Sequence, residues 1–343
     1  MTNIGALTTA AVSPPDTGDT TTIGTIATAV ALVEEEMRAV EARLRERLES
    51  PVGAIPEIGA HLLGAGGKRL RPLLSVLAAR ATDAPLEHGI AVGCAAELIH
   101  TATLYHDDVV DDGRVRRGRP AARMVFGNGL VVLVGDFCLA RALETVALTG
   151  SLPMVRSLAS TVTEMAEGEV AQLERAGNPD ASVDEYFRVI DRKTASLIAW
   201  CARVGGSVGE TLAGPLERYG RALGRAFQIA DDVLDSAIDE TTAGKSVGHD
   251  LQEGKLTLPV LLACEADPAL GRRVRGHLGE HGVPAAVVAQ ILTEVRAAGG
   301  VERARQKAAT LADEAVAALR DLPASRYRDG LMALAHASAD RSS

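Results

Sequence analysis

Residues 97–120 read ELIHTATLYHDDVVDDGRVRRGRP, and residues 226–239 read AFQIADDVLDSAID. In both, an otherwise apolar helical run ends in aspartates. In the first, spacings of three and four put Asp107 with Asp111, and Asp108 with Asp111 and Asp112, on adjoining turns of one helix face. Asp is a weak helix former, and four carboxylates this close repel one another. The arrangement is costly unless a cation fills it. Oxygen-only ligands of this kind suit Mg²⁺ bridging to phosphate rather than zinc. Asp231, Asp232 and Asp235 repeat the DDxxD spacing much further along the chain. One acidic helix end is as readily a solvated surface feature. Two identical ones, followed by Arg114 in the first case and Lys245 in the second, read instead as two jaws that clamp a diphosphate through Mg²⁺.

Working outward from these stretches, the chain keeps the same helical habit. In ALVEEEMRAVEARLRERLES (31–50), Leu32, Met37, Val40, Leu44 and Leu48 recur at steps of three to five between charges. Later helical segments are separated by short breaks: GAGG at 64–67, TDAP at 82–85, GRP at 118–120, GNPD at 177–180, TTAGKSVG at 241–248, GVP at 282–284 and LPAS at 322–325. No stretch shows sustained strand alternation between hairpin turns. Aromatic residues are only 3% of the 343, against 47% apolar overall, which suits packed helices better than a β-sandwich. The reading is a single all-α domain of many helices from about residue 23 onward. The Thr-rich residues 1–22, with their Pro-Pro pair, read as a disordered N-terminal extension.

Charge and cysteine use narrow the function classes. With 36 basic and 45 acidic residues the net charge is −9, the wrong sign for a nucleic-acid footprint. Cys94, Cys138, Cys201 and Cys264 lie far apart with no CxxC spacing, so neither a disulfide framework nor a zinc site is indicated, and a reducing cytoplasm is the expectation. The first basic residue is Arg38, unlike the charged start of a targeting peptide. No run is long and apolar enough to span a bilayer, so membrane contact is expected to be peripheral at most.

Basic residues stand where a diphosphate site needs them. GGKRLRP (66–72) places Lys68, Arg69 and Arg71 just after a glycine pair. Arg116 and Arg117 follow the first acidic cluster, Lys193 and Thr194 sit in RKTASL, and Lys245 and Lys255 bracket GKSVGHDLQEGK. Singly, each is an ordinary surface charge; their recurrence beside the aspartates is what carries weight.

At these residues the sequence resembles the trans-isoprenyl diphosphate synthases, the polyprenyl synthetases. The resemblance runs from about residue 26 to the end. It takes in GGKRLRP, residues 97–120, GD at 135–136, EGE at 167–169, KTA at 193–195, FQIADDVLD at 227–235 and GKSVGHDLQEGKLTLP at 244–259. The medium- and long-chain bacterial members, of octaprenyl type, are the most similar. The resemblance implies an all-helical isoprenoid synthase fold around a central cavity, a homodimer, and about three Mg²⁺ ions per site. It implies that Asp107, Asp108, Asp111, Asp231, Asp232 and Asp235 hold Mg²⁺ against an allylic diphosphate. Arg116, Lys193, Thr194, Gln228 and Lys245 would touch that diphosphate, while Lys68, Arg71, His100 and Arg117 would hold isopentenyl diphosphate. Lys255 falls in a matching motif without a firm role. The implied reaction is a 1′-4 condensation through an allylic cation, with the released diphosphate as base. His100 and His106 are then hydrogen-bonding groups, and Cys138 and Cys201 core filler.

Product length should follow from the depth of the cavity below the first DDxxD. Ala102 and Thr103, one turn deeper, are both small. In the family, bulky aromatics near these positions block the growing tail, so a product longer than C20, grown from farnesyl or geranylgeranyl diphosphate, is expected. A floor is sought near Met124, Phe126 or residues 130–143. Tyr105, where an aliphatic residue is usual, should either narrow the tunnel mouth or touch substrate. The alternatives are a geranylgeranyl diphosphate synthase and the catalytic half of a heteromer. A terpene cyclase fits less well because the second DDxxD is complete, and a non-catalytic subunit because both clusters are intact.

Overall fold

The computed structural model describes residues 26–63, 69–206, 210–237, 248–278 and 283–340. The anticipated extension over residues 1–22 lies outside them. Among the described residues the fold is all-α, as expected. Its centre is α5 (Leu86–Val110), flanked by α4 (Leu70–Ala81) and α7 (Asn128–Ala147). Ile90, Val92, Cys94, Leu98, Ile99 and Ala102 are all buried along α5. A helix apolar on nearly every side must be enclosed by its neighbours. Before it come α1 (Ile26–Ala31), α2 (Glu34–Arg47) and α3 (Ala54–Leu63), and between it and α7 lies the short α6 (Ala122–Phe126).

The second half is organised by α11 (Glu210–Ala237), which packs on α10 (Ser196–Gly205). A side chain on Gly224 would bring its Cβ to 2.5 Å from the Ala195 Cα, so only glycine allows this approach. Ahead of α10 stand α8 (Leu152–Arg175), α9 (Val183–Ile190) and a π-helical turn, Asp191–Ala195. After α11 come α12 (His249–Gln252), α13 (Leu258–Ala266), α14 (Pro268–His277), α15 (Ala285–Ala297), α16 (Gly300–Ala318) and α17 (Arg326–Ala339).

Two apolar cores result, and α11 belongs to both. Tyr219 and Leu223 join the larger one, with Leu74, Leu98, Cys138 and Trp200. One to three turns on, Ile229 and Val233 join the smaller, with Leu258, Ile291 and Leu311. The second acidic motif is thereby fixed on a helix gripped from two sides.

One feature departs from the all-helical expectation. Val115–Arg116 and Arg119–Pro120 form a minimal antiparallel ladder just after α5. Its central residues Arg117 and Gly118 have φ of 52° and 73°, the positive pair that a tight type I′ hairpin requires. So short a ladder leaves no alternation for a sequence to display. No described helix is long and apolar enough to cross a membrane.

Candidate active site

Both acidic motifs sit at the C-terminal ends of their helices. Asp107 and Asp108 lie in the last turn of α5, Asp111 is its C-cap, and Asp112 follows with φ of 53°. Asp231, Asp232 and Asp235 occupy the last two turns of α11. A helix C-terminus already carries partial negative charge, so carboxylates there are doubly disfavoured and draw cations. The hairpin returns Arg116 onto Asp108, with Nε and Nη2 at 2.8 and 2.6 Å from one oxygen. Arg123 pairs with Asp112 at 2.5 Å. Lys255 Nζ reaches Asp111 at 3.3 Å and Glu253 at 2.7 Å. Because Lys255 follows the second motif, this contact ties the segment beyond α11 to the first acidic cluster.

Behind the second motif runs a chain of hydrogen bonds. Tyr186 of α9 donates its hydroxyl to Asp232 at 2.5 Å, and Gln228 donates to the other Asp232 oxygen at 2.9 Å. Thr194 in turn donates to Gln228 at 2.9 Å. Asp235 accepts the backbone N–H groups of His249 and Asp250, at 3.2 and 3.3 Å. Lys193 sits in the π-helical turn, a distortion that often marks a functional position. It donates to Gln172 at 2.8 Å and pairs with Glu169, both on α8. Lys193, Thr194, Gln228, Asp232, Asp250 and Lys255 line a cleft of about 830 Å³, open solvent at its mouth included.

The middle aspartate of each motif is thus already engaged within the fold. Asp108 is 1% exposed and Asp232 3%. The outer aspartates, Asp107, Asp111, Asp231 and Asp235, are half-buried. Burial raises Asp107 to about 6, with Glu169 and Asp111 adding to the rise and Lys193 opposing it. Burial also raises Asp235, and burial followed by the Asp235 charge raises Asp250 to about 7. Such crowded carboxylates fit a hard divalent cation. Among the described residues no three His, Cys, Asp or Glu side chains are converged as a metal cage.

A second group of residues is cationic. Arg71 is half-buried, and its Nε is enclosed with no hydrogen-bond partner among the described residues. Burial, and then Arg71, Arg117, Arg116 and Arg69, holds His100 well below the usual imidazole range. His100 is therefore neutral near pH 7 and can donate one N–H without serving as a cation. Arg117 Nη1 lies 3.5 Å from the Leu62 carbonyl. Lys68 and Lys245 fall outside the described residues. Ala102 is fully buried, whereas Thr103, one turn before Asp107, is half-exposed and donates to the His100 carbonyl at 2.9 Å.

Tyr105 corrects the sequence expectation. It is fully buried and donates its hydroxyl to the Ile58 carbonyl of α3, so it neither narrows a tunnel mouth nor meets substrate. It is two residues from Asp107, which on a helix turns it away from the acidic face. His106 Nε2 lies 3.2 Å from the Val132 carbonyl and 3.4 Å from Asp136, holding α5 to α7. Cys138 and Cys201 are core residues whose thiols burial pushes up to about 12. Phe126 packs edge-on to His61 of α3, with ring centres 5.7 Å apart.

Sequence reading gave no role to Tyr186, Glu169 or Gln172. Tyr186 precedes Lys193 by two helical turns, and Glu169 and Gln172 are one turn apart, so helical spacing from known motifs was the available signal.

Comparison with known proteins agrees with this geometry. Residues 53–295 match the profile of the polyprenyl synthetase family. Octaprenyl diphosphate synthase of Escherichia coli K12 is 41% identical over 315 residues, covering 90% of this chain and 97% of that one. The polyprenyl synthase of Caulobacter crescentus, solved with calcium and isoprenyl diphosphate, superposes with a TM-score of 0.88 at 38% identity, over 93% of this chain and 99% of the other. A decaprenyl diphosphate synthase from Rhodobacter capsulatus gives 0.86 at 39% identity, over 92% and 99%.

Proposed function

The chain belongs to the polyprenyl synthetase family, and on that premise we propose how its residues divide the work of a trans-polyprenyl diphosphate synthase. It is a prenyltransferase of the long-chain kind. The substrates assigned here are isopentenyl diphosphate and an allylic starter, farnesyl or geranylgeranyl diphosphate. The observation that supports this reading is the Lys255–Asp111 contact, which links the segment after the second DDxxD to the first one.

Asp107, Asp108, Asp111, Asp231, Asp232 and Asp235 would hold Mg²⁺, with Asp108 braced by Arg116, and Asp232 by Tyr186 and Gln228. Roughly three ions per site suit this many carboxylates. When bound, Mg²⁺ neutralises the allylic diphosphate and favours its departure. Arg116, Lys193, Thr194, Gln228 and Lys245 bind the same diphosphate. Their positive charge and N–H or O–H groups stabilise it most when the C–O bond has broken and its charge is greatest. Lys68, Arg71, His100 and Arg117 seat isopentenyl diphosphate so that its double bond attacks the allylic cation. A C–C bond forms at the cost of the C–O bond, and the proton then lost passes to the released diphosphate. Neutral His100 orients and takes no proton.

The small Ala102 and Thr103 leave room for a tail, so the product exceeds C20. The active form is a homodimer. Met124, Val125, Leu130, Leu133, Val170 and Leu173 are exposed apolar side chains on α6, α7 and α8, and covering them with a second copy supports this assignment. Four free cysteines fit a reducing cytoplasm. The test is incubation of the purified chain with Mg²⁺, isopentenyl diphosphate and farnesyl diphosphate. A product ladder ending at or above about C30 supports the tunnel below Thr103. Products that stop at C20 refute the length, a cyclic hydrocarbon refutes the reaction, and no turnover refutes a self-sufficient homodimer.

A further inference from the structure

Three cations follow the glycine pair at 66–67, and the middle one is held inside the fold. Arg69 has φ of 46° and ψ of 40°, the left-handed region, and sits as N-cap of α4. A residue with a Cβ is held there only by its surroundings. Each of its three guanidinium nitrogens makes a hydrogen bond. Nε donates to Glu41 of α2 at 2.5 Å, Nη1 to Glu97 of α5 at 2.7 Å, and Nη2 to the Leu63 carbonyl at the end of α3 at 3.2 Å. One side chain, 12% exposed, therefore fastens the first turn of α4 to three other helices.

The partner of this pair is equally telling. Glu97 is 4% exposed and attracts Arg71 and Arg117 as well as Arg69. It is also one helical turn before His100. An unclaimed carboxylate at that position would draw Arg71 or Arg117 onto itself and cancel the charge that an anion needs. Arg69 claims it, while Arg71 keeps an enclosed Nε without a partner among the described residues.

We propose that Arg69, through its bonds to Glu97 and Glu41, is the positioning residue of the isopentenyl diphosphate subsite, fixing the α4 turn and sparing Arg71 for the incoming diphosphate. Arg69 itself touches no substrate. The inference rests on the assignment of Arg71, His100 and Arg117 to isopentenyl diphosphate. It predicts an effect on one substrate only, because none of the groups that Arg69 bonds lies on the Lys193–Asp232 side of the cleft.

The test compares Arg69→Gly, Arg69→Lys and Glu41→Gln with the full-length wild type in steady-state assays, varying isopentenyl and farnesyl diphosphate separately. Arg69→Gly removes the guanidinium and the left-handed strain together. The expected result is a KM for isopentenyl diphosphate raised about tenfold or more, with kcat and the KM for farnesyl diphosphate within about twofold. Arg69→Lys and Glu41→Gln, milder and less able to impair folding, should raise the same KM by about threefold. Wild-type behaviour of Arg69→Gly overturns the proposal, because the turn alone would then suffice. Equal losses for both substrates also overturn it, as does an unchanged KM in the two milder variants. Wild-type protein that fails to turn over isopentenyl diphosphate refutes instead the functional reading beneath it.

Discussion

Replacing Gly168 by alanine sets two known effects against each other. Gly168 lies in α8 within the EGE triplet, beside Glu169, which pairs with Lys193. Helix propensity alone favours alanine by about 1 kcal/mol. The packing opposes it more strongly. A Cβ at 168 would lie 2.7 Å from the Lys193 backbone nitrogen and 2.8 Å from the Arg192 Cβ. Ordinary contacts lie near 3.5 Å or beyond, so α8 and the π-helical turn must separate by roughly 0.8 Å. Overpacking of a backbone contact costs about 1–3 kcal/mol, so the net result is a destabilisation of about 0–2 kcal/mol and a Tm lower by a few degrees. Function should suffer more than stability. A displacement near 1 Å of a group that acts on the reacting bond costs up to about 100-fold in rate, so kcat should fall about 10- to 100-fold. Single-turnover condensation of farnesyl with isopentenyl diphosphate, read beside a thermal melt, measures both. A raised Tm with an unchanged rate would refute the argument, because it would mean that α8 does not set the position of Lys193.

Three further outcomes are expected. Thr103→Phe places a ring one turn below Asp107 on a half-exposed position and should shorten the main product by several isoprene units, sized by chromatography; an unchanged ladder would place the tunnel elsewhere. Mg²⁺ with a diphosphate should raise Tm far more at pH 8 than at pH 5. Asp107 is raised to about 6 and Asp250 to about 7; a carboxyl raised in the folded state adds stability below its unfolded value, near 4, and loses it as pH rises through the folded one, leaving charged, repelling carboxylates that a cation relieves. Equal gains at both pH values would contradict that electrostatic account. Leu133→Asp, on a side chain 65% exposed, should leave the melt nearly unchanged but halve the mass measured by light scattering; an unaltered mass would exclude α7 from the dimer contact.

What the sequence determined by itself was local. The helical class follows from apolar periodicity and from the near absence of aromatic and alternating stretches. Both acidic clusters follow from spacings of three and four, which fix neighbours on a helix whatever surrounds it. The order of so many motifs was enough to point to the family. Tertiary structure decided which members of each cluster are already spoken for. Asp108 meets an arginine returned by a hairpin of only two paired residues per strand, and Asp232 meets Tyr186, 46 residues away. It decided that Tyr105 faces α3 rather than the cleft, and it separated Arg69 from Arg71 by the carboxylates waiting on α2 and α5. These are encounters between segments distant along the chain. The charge and spacing of a residue say that it needs a partner, and only the packing of helices against one another says which partner it finds.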